Sequence, residues 1–254
     1  MRILLTNDDG IHAPGLFALY EALQSDHEVR IVAPETEMSA VGHAITLTSP
    51  IRVQEVRKQG RFFGHAVKGT PADCVKIAVQ ELLDAPPDVV LSGINAGANV
   101  GVNILYSGTV SAATEGAFLG IRSAAISVAE LKDPDFGFAA RFSRRLIRFM
   151  IESDLSDGTA LNVNIPAVTS DAIKGVVLAR QGISRFEERF DRRSDPRGNV
   201  YYWLTGETFI ENGNPRNDSV ALEQKYITIT PIHYDLTCER ELERLARFAL
   251  PKVP

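Results

Sequence analysis

Cysteine is nearly absent from the chain: Cys74 and Cys238 are the only two in 254 residues. They are too few and too scattered for a disulfide framework or a cysteine zinc site. Long apolar runs are missing too, since no stretch approaches the ~18 residues read as a membrane-spanning helix. The opening Met-Arg-Ile-Leu-Leu turns polar by Thr6, leaving no secretory apolar segment, so the expected compartment is a reducing cytoplasm. Positive charge is not in excess, because 27 Lys and Arg stand against 32 Asp and Glu, a net charge of -5. That field does not favour nucleic acid, and neither a stable nucleic-acid complex nor a membrane partner is expected. An anionic substrate would have to be drawn in by local groups or by a bound cation. Neither a G-x-x-x-x-G-K-[ST] loop nor a G-x-G-x-x-G fingerprint occurs; Asn95 stands where the latter would need its second glycine. The five histidines lack metal-cluster spacing, although His12 and His43 fall in loops near the stretches singled out below.

What is present is an alternation of short β-rich runs with helical patterns, the pattern of a parallel sheet covered by helices. Strands are predicted at 2–6, 29–33, 88–92, 123–128, 161–166 and 226–230, and a peripheral hairpin within 45–67. Helices are predicted at 14–24, 70–83, 109–119, 138–151 and 236–248. Thr70-Pro71-Ala72-Asp73 supplies an N-cap, a first-turn proline and an acidic first turn. Cys74 then lies on the buried face of that helix. Arg141, Arg144, Arg145 and Arg148 read as a solvated helix face. The segments 184–191 and 200–205 flank the turn-rich SDPRGN and predict a hairpin arm carrying Phe186, Phe190, Tyr202 and Trp203. Such an arm is either a packed surface hairpin or a docking element for another subunit. The expected fold is α/β, a Rossmann-like three-layer, mostly parallel sheet with helices on both faces, plus the hairpin arm and a C-terminal helix. We expect one domain over 1–254, with its core in about 1–180 and an arm and oligomerisation segment in about 181–254.

Three motifs follow predicted strands. Thr6-Asn7-Asp8-Asp9-Gly10 places two carboxylates past the end of the first strand. There they serve either as turn and capping residues or as ligands of a hard divalent cation, which would offset their repulsion. Gly93 to Gly101 follows another strand, and its Asn95 offers a neutral oxygen ligand. Tyr106-Ser107-Gly108-Thr109-Val110-Ser111 leads into a helix, whose N-terminal amides and hydroxyls form either an ordinary cap or a phosphate seat. In an open parallel sheet all three come to the carboxyl edge, where ligands bind.

With these stretches the chain resembles the SurE family of stationary-phase survival proteins, metal-dependent 5′/3′-nucleotidases. The resemblance rests on MRILLTNDDGIHAPGL, SAVGHAITL, VKGTPADCV, LSGINAGANVGVNILYSGTVSAATEG and, more loosely, YITITPI, spanning residues 1 to about 231. It implies one divalent metal per subunit, Mg²⁺ or Mn²⁺, held by Asp8, Asp9, Ser39 and Asn95. Asp8 and Asp9 would also carry the catalysis, with the phosphoryl group held by Asn95, Ser107, Gly108 and Thr109. The substrate implied is a nucleoside 5′- (or 3′-) monophosphate, and the assembly a homodimer or homotetramer. Glu35-Thr36-Glu37-Met38 departs from the family pattern, which often carries arginines there, and Lys225 stands where glycine is usual. The competing readings are a non-catalytic nucleotide-binding or sensing protein and a phosphatase acting mainly on polyphosphate.

Overall fold

A computed structural model describes residues 1–183, 185–209, 214–251 and 253, except for the side chains of 185–188 and 207–209. Strand β1 (Arg2–Thr6) lies at its centre, and Ile3, Leu4 and Leu5 are all fully buried. An unbroken apolar run is what a parallel strand covered on both faces requires. Helix α1 (Pro14–Leu23) returns the chain to β2 (Glu28–Pro34), parallel to β1. The hairpin β3 (Arg52–Lys58) and β4 (Arg61–Lys68) lies at the edge of the main sheet and is part of it, because β4 pairs in parallel with β2. Helix α2 (Pro71–Ile77) starts with the Thr70–Asp73 capping box and widens into a π-type turn over Ala78–Leu82. Cys74 is buried. Strand β5 (Val89–Ala96), helix α3 (Gly108–Phe118), β6 (Arg122–Val128), α4 (Phe136–Glu152) and β7 (Thr159–Ile165) complete the parallel set.

Side-chain alternation divides the core into two layers. Ile3, Leu5, Ile31, Ala33 and Leu91 pack with α1 and α4, while Leu4, Val32 and Val90 pack with α2 and Ala112 of α3. Helix α3 is rich in small residues because it lies close to the sheet. A Cβ on Gly116 would strike Ser123 Oγ and come within 3.0 Å of Val90 Cγ2.

The sheet order is β3-β4-β2-β1-β5-β6-β7-β11-β8, where β8 is Gly175–Leu178 and β11 is Tyr226–His233. From β1 the chain first winds outward through β2 and β4, then returns to place β5 on the other side of β1. Connections therefore diverge above β1 and β5, and this divergence opens a crevice at their carboxyl ends. Strand β5 runs four residues farther than its apolar stretch predicts. Its register against β6 slips between Gly93 and Asn95, leaving Asn95 opposite Ser127. Gly93 permits the slip, because it has φ +136° and a Cβ there would collide with the Ile126 carbonyl oxygen.

Beyond β7 the sheet turns mixed, as β11 pairs antiparallel with β7 and parallel with β8. The predicted arm is present as β9 (Arg185–Ser194) and β10 (Val200–Phe209), which form a separate two-stranded ribbon. Phe190, Tyr202 and Trp203 on it are exposed; Ser184 and the Phe186 side chain lie outside the described residues. Helix α5 (Asp218–Glu223) begins with a fully buried carboxylate. Asp218 Oδ2 accepts the amide of Gly101 at 3.0 Å, and Oδ1 accepts those of Gly182 at 2.9 Å and Ser219 at 2.8 Å. The C-terminal helix α6 (Glu239–Leu245) is shorter than the 236–248 expected and leaves Leu242 and Leu245 exposed. The four arginines of α4 are solvent-exposed as expected. Among the described residues no helix is long and apolar enough to cross a membrane.

Candidate metal and phosphate site

The loop after β1 is fixed by its own side chains. Asn7 is fully buried and donates its amide to the Gly10 carbonyl at 3.0 Å, closing a turn that aims the next two residues past the sheet edge. Gly10, at φ +96°, reverses the chain, and the Ile11 amide then bonds the Pro34 carbonyl at 2.8 Å. Asp8 is 6% exposed and Asp9 half-buried. Helix α3 approaches from the other side: Thr109 donates its hydroxyl to Asp8 Oδ1. Gly108 sits so close that an added Cβ would lie 2.7 Å from Asp8 Cβ and 2.9 Å from its Oδ2. The Met38 amide donates to the Asp8 carbonyl at 2.7 Å, which brings the loop after β2 onto the same point.

Neither aspartate has a lysine, arginine or histidine partner among the described residues. Burial pushes the Asp8 carboxyl upward against the stabilising bonds from Thr109, and Glu37 adds to the rise. Burial also lifts Asp9 to about 7, helped by the neighbouring charges of Asp8 and Glu37. The site is thus a concentration of negative charge, partly removed from water and lacking a cation of its own.

The sequence-predicted residues are brought together unequally. Asn95 stands at the end of β5, next to β1, and donates its amide to the Gly97 carbonyl at 2.8 Å. Its Oδ1 has no hydrogen-bond partner among the described residues. Ser107 caps α3 by accepting the Val110 amide at 3.1 Å. The amides of Gly108 and Thr109 belong to the first turn of this eleven-residue helix, which has no carbonyl to receive them, and that of Thr109 is directed at the Asp8 carboxylate. The sequence reading assigns Thr109 to the phosphate, but its side chain is fully buried and its hydroxyl is on Asp8. Ser39 is exposed and bonds Glu37 Oε1 at 2.5 Å, one residue beyond the Met38 amide held by Asp8.

Two features of this neighbourhood become clear only in three dimensions. Glu37, whose charge reaches both aspartates, lies in the stretch that departs from the family pattern. Glu115 of α3, 3% exposed, binds Lys76 Nζ of α2 at 2.7 Å and His43 Nε2 at 2.8 Å, tying the loop that carries Ser39 to both helices. His43 and Lys76 lie 72 and 39 residues from Glu115 in sequence, and only the fold joins them.

Known proteins match this chain over nearly its whole length. The family model described as survival protein SurE matches residues 3–188. A protein of Syntrophobacter fumaroxidans named 5′-nucleotidase SurE is 54% identical over 250 residues, which cover 98% of this chain and 100% of the relative. A protein of the same name from Syntrophus aciditrophicus is 56% identical over 238 residues, 93% of this chain and 90% of the relative. The crystal structure of the SurE protein from Aquifex aeolicus superposes with a TM-score of 0.84 at 38% identity, covering 97% of this chain and 99% of that one.

Proposed function

This chain belongs to the SurE family, and from that premise we propose that it is a nucleotidase hydrolysing nucleoside 5′-monophosphates, and 3′-monophosphates with them, at the crevice between β1 and β5. Nucleotidases of this family are metal-dependent, and we assign one Mg²⁺ or Mn²⁺ per subunit to Asp8, Asp9, Asn95 and Ser39. The donor set suits such an ion: two carboxylates without a cationic partner, an amide oxygen and a hydroxyl, all hard oxygen ligands. Gly108 supports this reading, since any side chain there would fill the space beside the Asp8 carboxylate. When bound, a divalent cation supplies neutralisation of phosphoryl oxygens and a more acidic water.

The protein's own residues divide the remaining work. Asp8, held by the Thr109 hydroxyl and pressed by Gly108, is the rigid anchor. Asp9 has no side-chain hydrogen bond among the described residues and is free to orient the attacking water. The N-terminal amide of α3 at Gly108, with the Ser107 hydroxyl, receives phosphoryl oxygens as charge builds on them. Asn95 steers the phosphoryl group from the β5 side. Thr109 positions Asp8 with both its hydroxyl and its amide.

The observation that carries this reading is a buried carboxylate, Asp8, set against the first turn of α3 beside the half-buried Asp9, neither with a cationic partner among the described residues. Phosphate release from a panel of nucleoside monophosphates, with Mg²⁺ or Mn²⁺ and with EDTA, tests it. Turnover should vanish with the chelator and return with metal. Tight nucleotide binding without turnover under any metal would point instead to a sensing protein, and selective release from polyphosphate to the other competing reading. We further propose that about 1–180 form the catalytic core and that the arm and C-terminal segment, about 181–254, contact a second copy in a homodimer or homotetramer. The exposed aromatics of β9 and β10 support that contact. We also propose that the protein acts in the cytoplasm.

A further inference from the structure

A cavity of about 550 Å³ opens beyond the carboxyl ends of β5, β6 and β7. Gly97 and Ala98 after β5, Leu131 after β6 and Pro166 after β7 line it, with Asn103 and Ser219 supplying polar groups. We infer that this cavity receives the nucleoside portion of the substrate while the phosphate sits at Asp8 and the start of α3. The inference rests on the nucleotidase reading and deepens it.

Position is the first argument. Gly97 lines the cavity, and its carbonyl accepts the side-chain amide of Asn95, so a single turn separates the proposed metal ligand from the cavity. Neighbouring strands lie about 4.8 Å apart, so the ends of β5 and β7 span about 10 Å, a distance a nucleotide crosses from its phosphate to its base.

Leu131 is the second. It is 77% exposed, yet it lies over Gly97 at a spot where any Cβ would come within 2.7 Å of Leu131 Cδ2. Gly97 adopts φ +102°, a conformation that suits glycine, and the leucine occupies the space the missing side chain leaves. An apolar side chain set against backbone and open to solvent on its other face offers an apolar surface for a base.

The third argument is charge. The charged residues lining the cavity, Glu223 and Lys225, are single and of opposite sign, and both are exposed. There is no cationic cluster for a second phosphate. The Asn103 amide and the Ser219 hydroxyl both donate and accept, which matches the mixed polar edge of a base or the hydroxyls of a ribose. A size of about 550 Å³ falls in the range of roughly 300–1,000 Å³ usual for small-molecule sites. The occupant that fits is a neutral, partly apolar ring system tethered to an anion held next door.

The test compares two variants, Leu131→Ala, which removes the apolar face, and Ala167→Trp, which fills the cavity from an exposed turn. For each, the KM for AMP and the inhibition constant of inorganic phosphate are measured with saturating Mg²⁺, alongside thermal melting. The KM for AMP should rise roughly tenfold, the scale of one lost leucine contact, while phosphate inhibits as in the wild type. An unchanged KM in both folded variants overturns the inference. So does a parallel loss of phosphate affinity, which would mean that the whole site had shifted. A change of sedimentation with KM unchanged assigns the cavity to a second copy of the chain and overturns it as well. A wild-type protein that hydrolyses no nucleotide under any divalent metal refutes the nucleotidase reading itself, a result readily distinguished from the others.

Discussion

Gly108→Ala separates the geometry of the site from the stability of the fold. Gly108 opens α3 without a positive φ, so alanine by propensity alone would favour the helix by about 1 kcal/mol. Against that, the new Cβ would lie 2.7 Å from Asp8 Cβ, 2.9 Å from Asp8 Oδ2 and 3.1 Å from Pro71 Cγ. The first is about 1 Å inside the ordinary carbon–carbon contact of 3.5–4.0 Å, and overpacking of this kind costs about 1–3 kcal/mol. The net loss is about 0–2 kcal/mol, or a fall in Tm of up to about 6 °C. Relief must come from moving Asp8 away from α3, and a displacement of about 1 Å at a reacting centre costs on the order of 100-fold in rate. Gly116→Ala is the control, because on the same helix its Cβ meets Ser123 and Val90 of the core and no site residue. Calorimetry and kcat/KM on nucleoside monophosphates should therefore diverge. Gly108→Ala should melt nearly normally and turn over poorly, while Gly116→Ala should melt early and turn over normally at 25 °C. Wild-type kcat/KM in a folded Gly108→Ala protein would refute the claim that the spacing of Asp8 from α3 governs catalysis. Equal proportionality of activity to stability in the two variants would do the same.

Asp8→Asn should bind Mn²⁺ far more weakly by calorimetry and lose most turnover while keeping the circular dichroism of the fold; wild-type metal affinity would count against Asp8 as a ligand. In the metal-free protein Asp9 is lifted to about 7 by burial and by the charges of Asp8 and Glu37. Its folded value exceeds its unfolded one, so this group favours the folded apoprotein at low pH, and that contribution is lost as pH rises through about 7. The Tm gained on adding Mg²⁺ should accordingly be larger at pH 8 than at pH 6, and an equal gain at both would reject the coupling. Glu115 behaves oppositely. Burial would raise it, yet the bonds from His43 and Lys76 outweigh burial and hold it below the ordinary glutamate value. Its stabilisation is present above the unfolded value and lost as pH falls through the folded one. Glu115→Ala should cost about 2 kcal/mol at neutral pH, the scale of hydrogen bonds to a charged group, and the gap to wild type in urea titrations should narrow toward pH 4.

The parallel core was readable because its signals are local. Arg2–Thr6 and Val89–Leu91 are apolar runs long enough for strands buried on both faces, and Thr70–Asp73 is a self-contained cap. Asp8, Asp9, Asn95 and Ser107 were visible for a related reason: each directly follows or caps such an element, so naming the element also places the residue at the carboxyl edge. What stayed hidden depends on distance along the chain. The partnership of Thr109 with Asp8 crosses 101 residues, and that of Gly101 with Asp218 crosses 117. Nothing near Thr109 distinguishes a hydroxyl meant for phosphate from one meant for a carboxylate. The extension of β5 through Asn95 was concealed by its glycines, which favour a loop reading until Ile126 is seen to demand one of them. The pairing of β4 with β2 depends on a crossover that periodicity does not encode.

Asp218 gives the C-terminal third a mechanical role. A single sealed carboxylate grips the backbone at the root of the ribbon and the backbone that follows β5, so that loosening one should loosen the other. Heat, proteolysis or shortening that loosens the appendage should silence turnover while the central strands are still intact. Activity should then be lost on heating before the circular dichroism of the central sheet, and coincident loss of the two would contradict this role for Asp218.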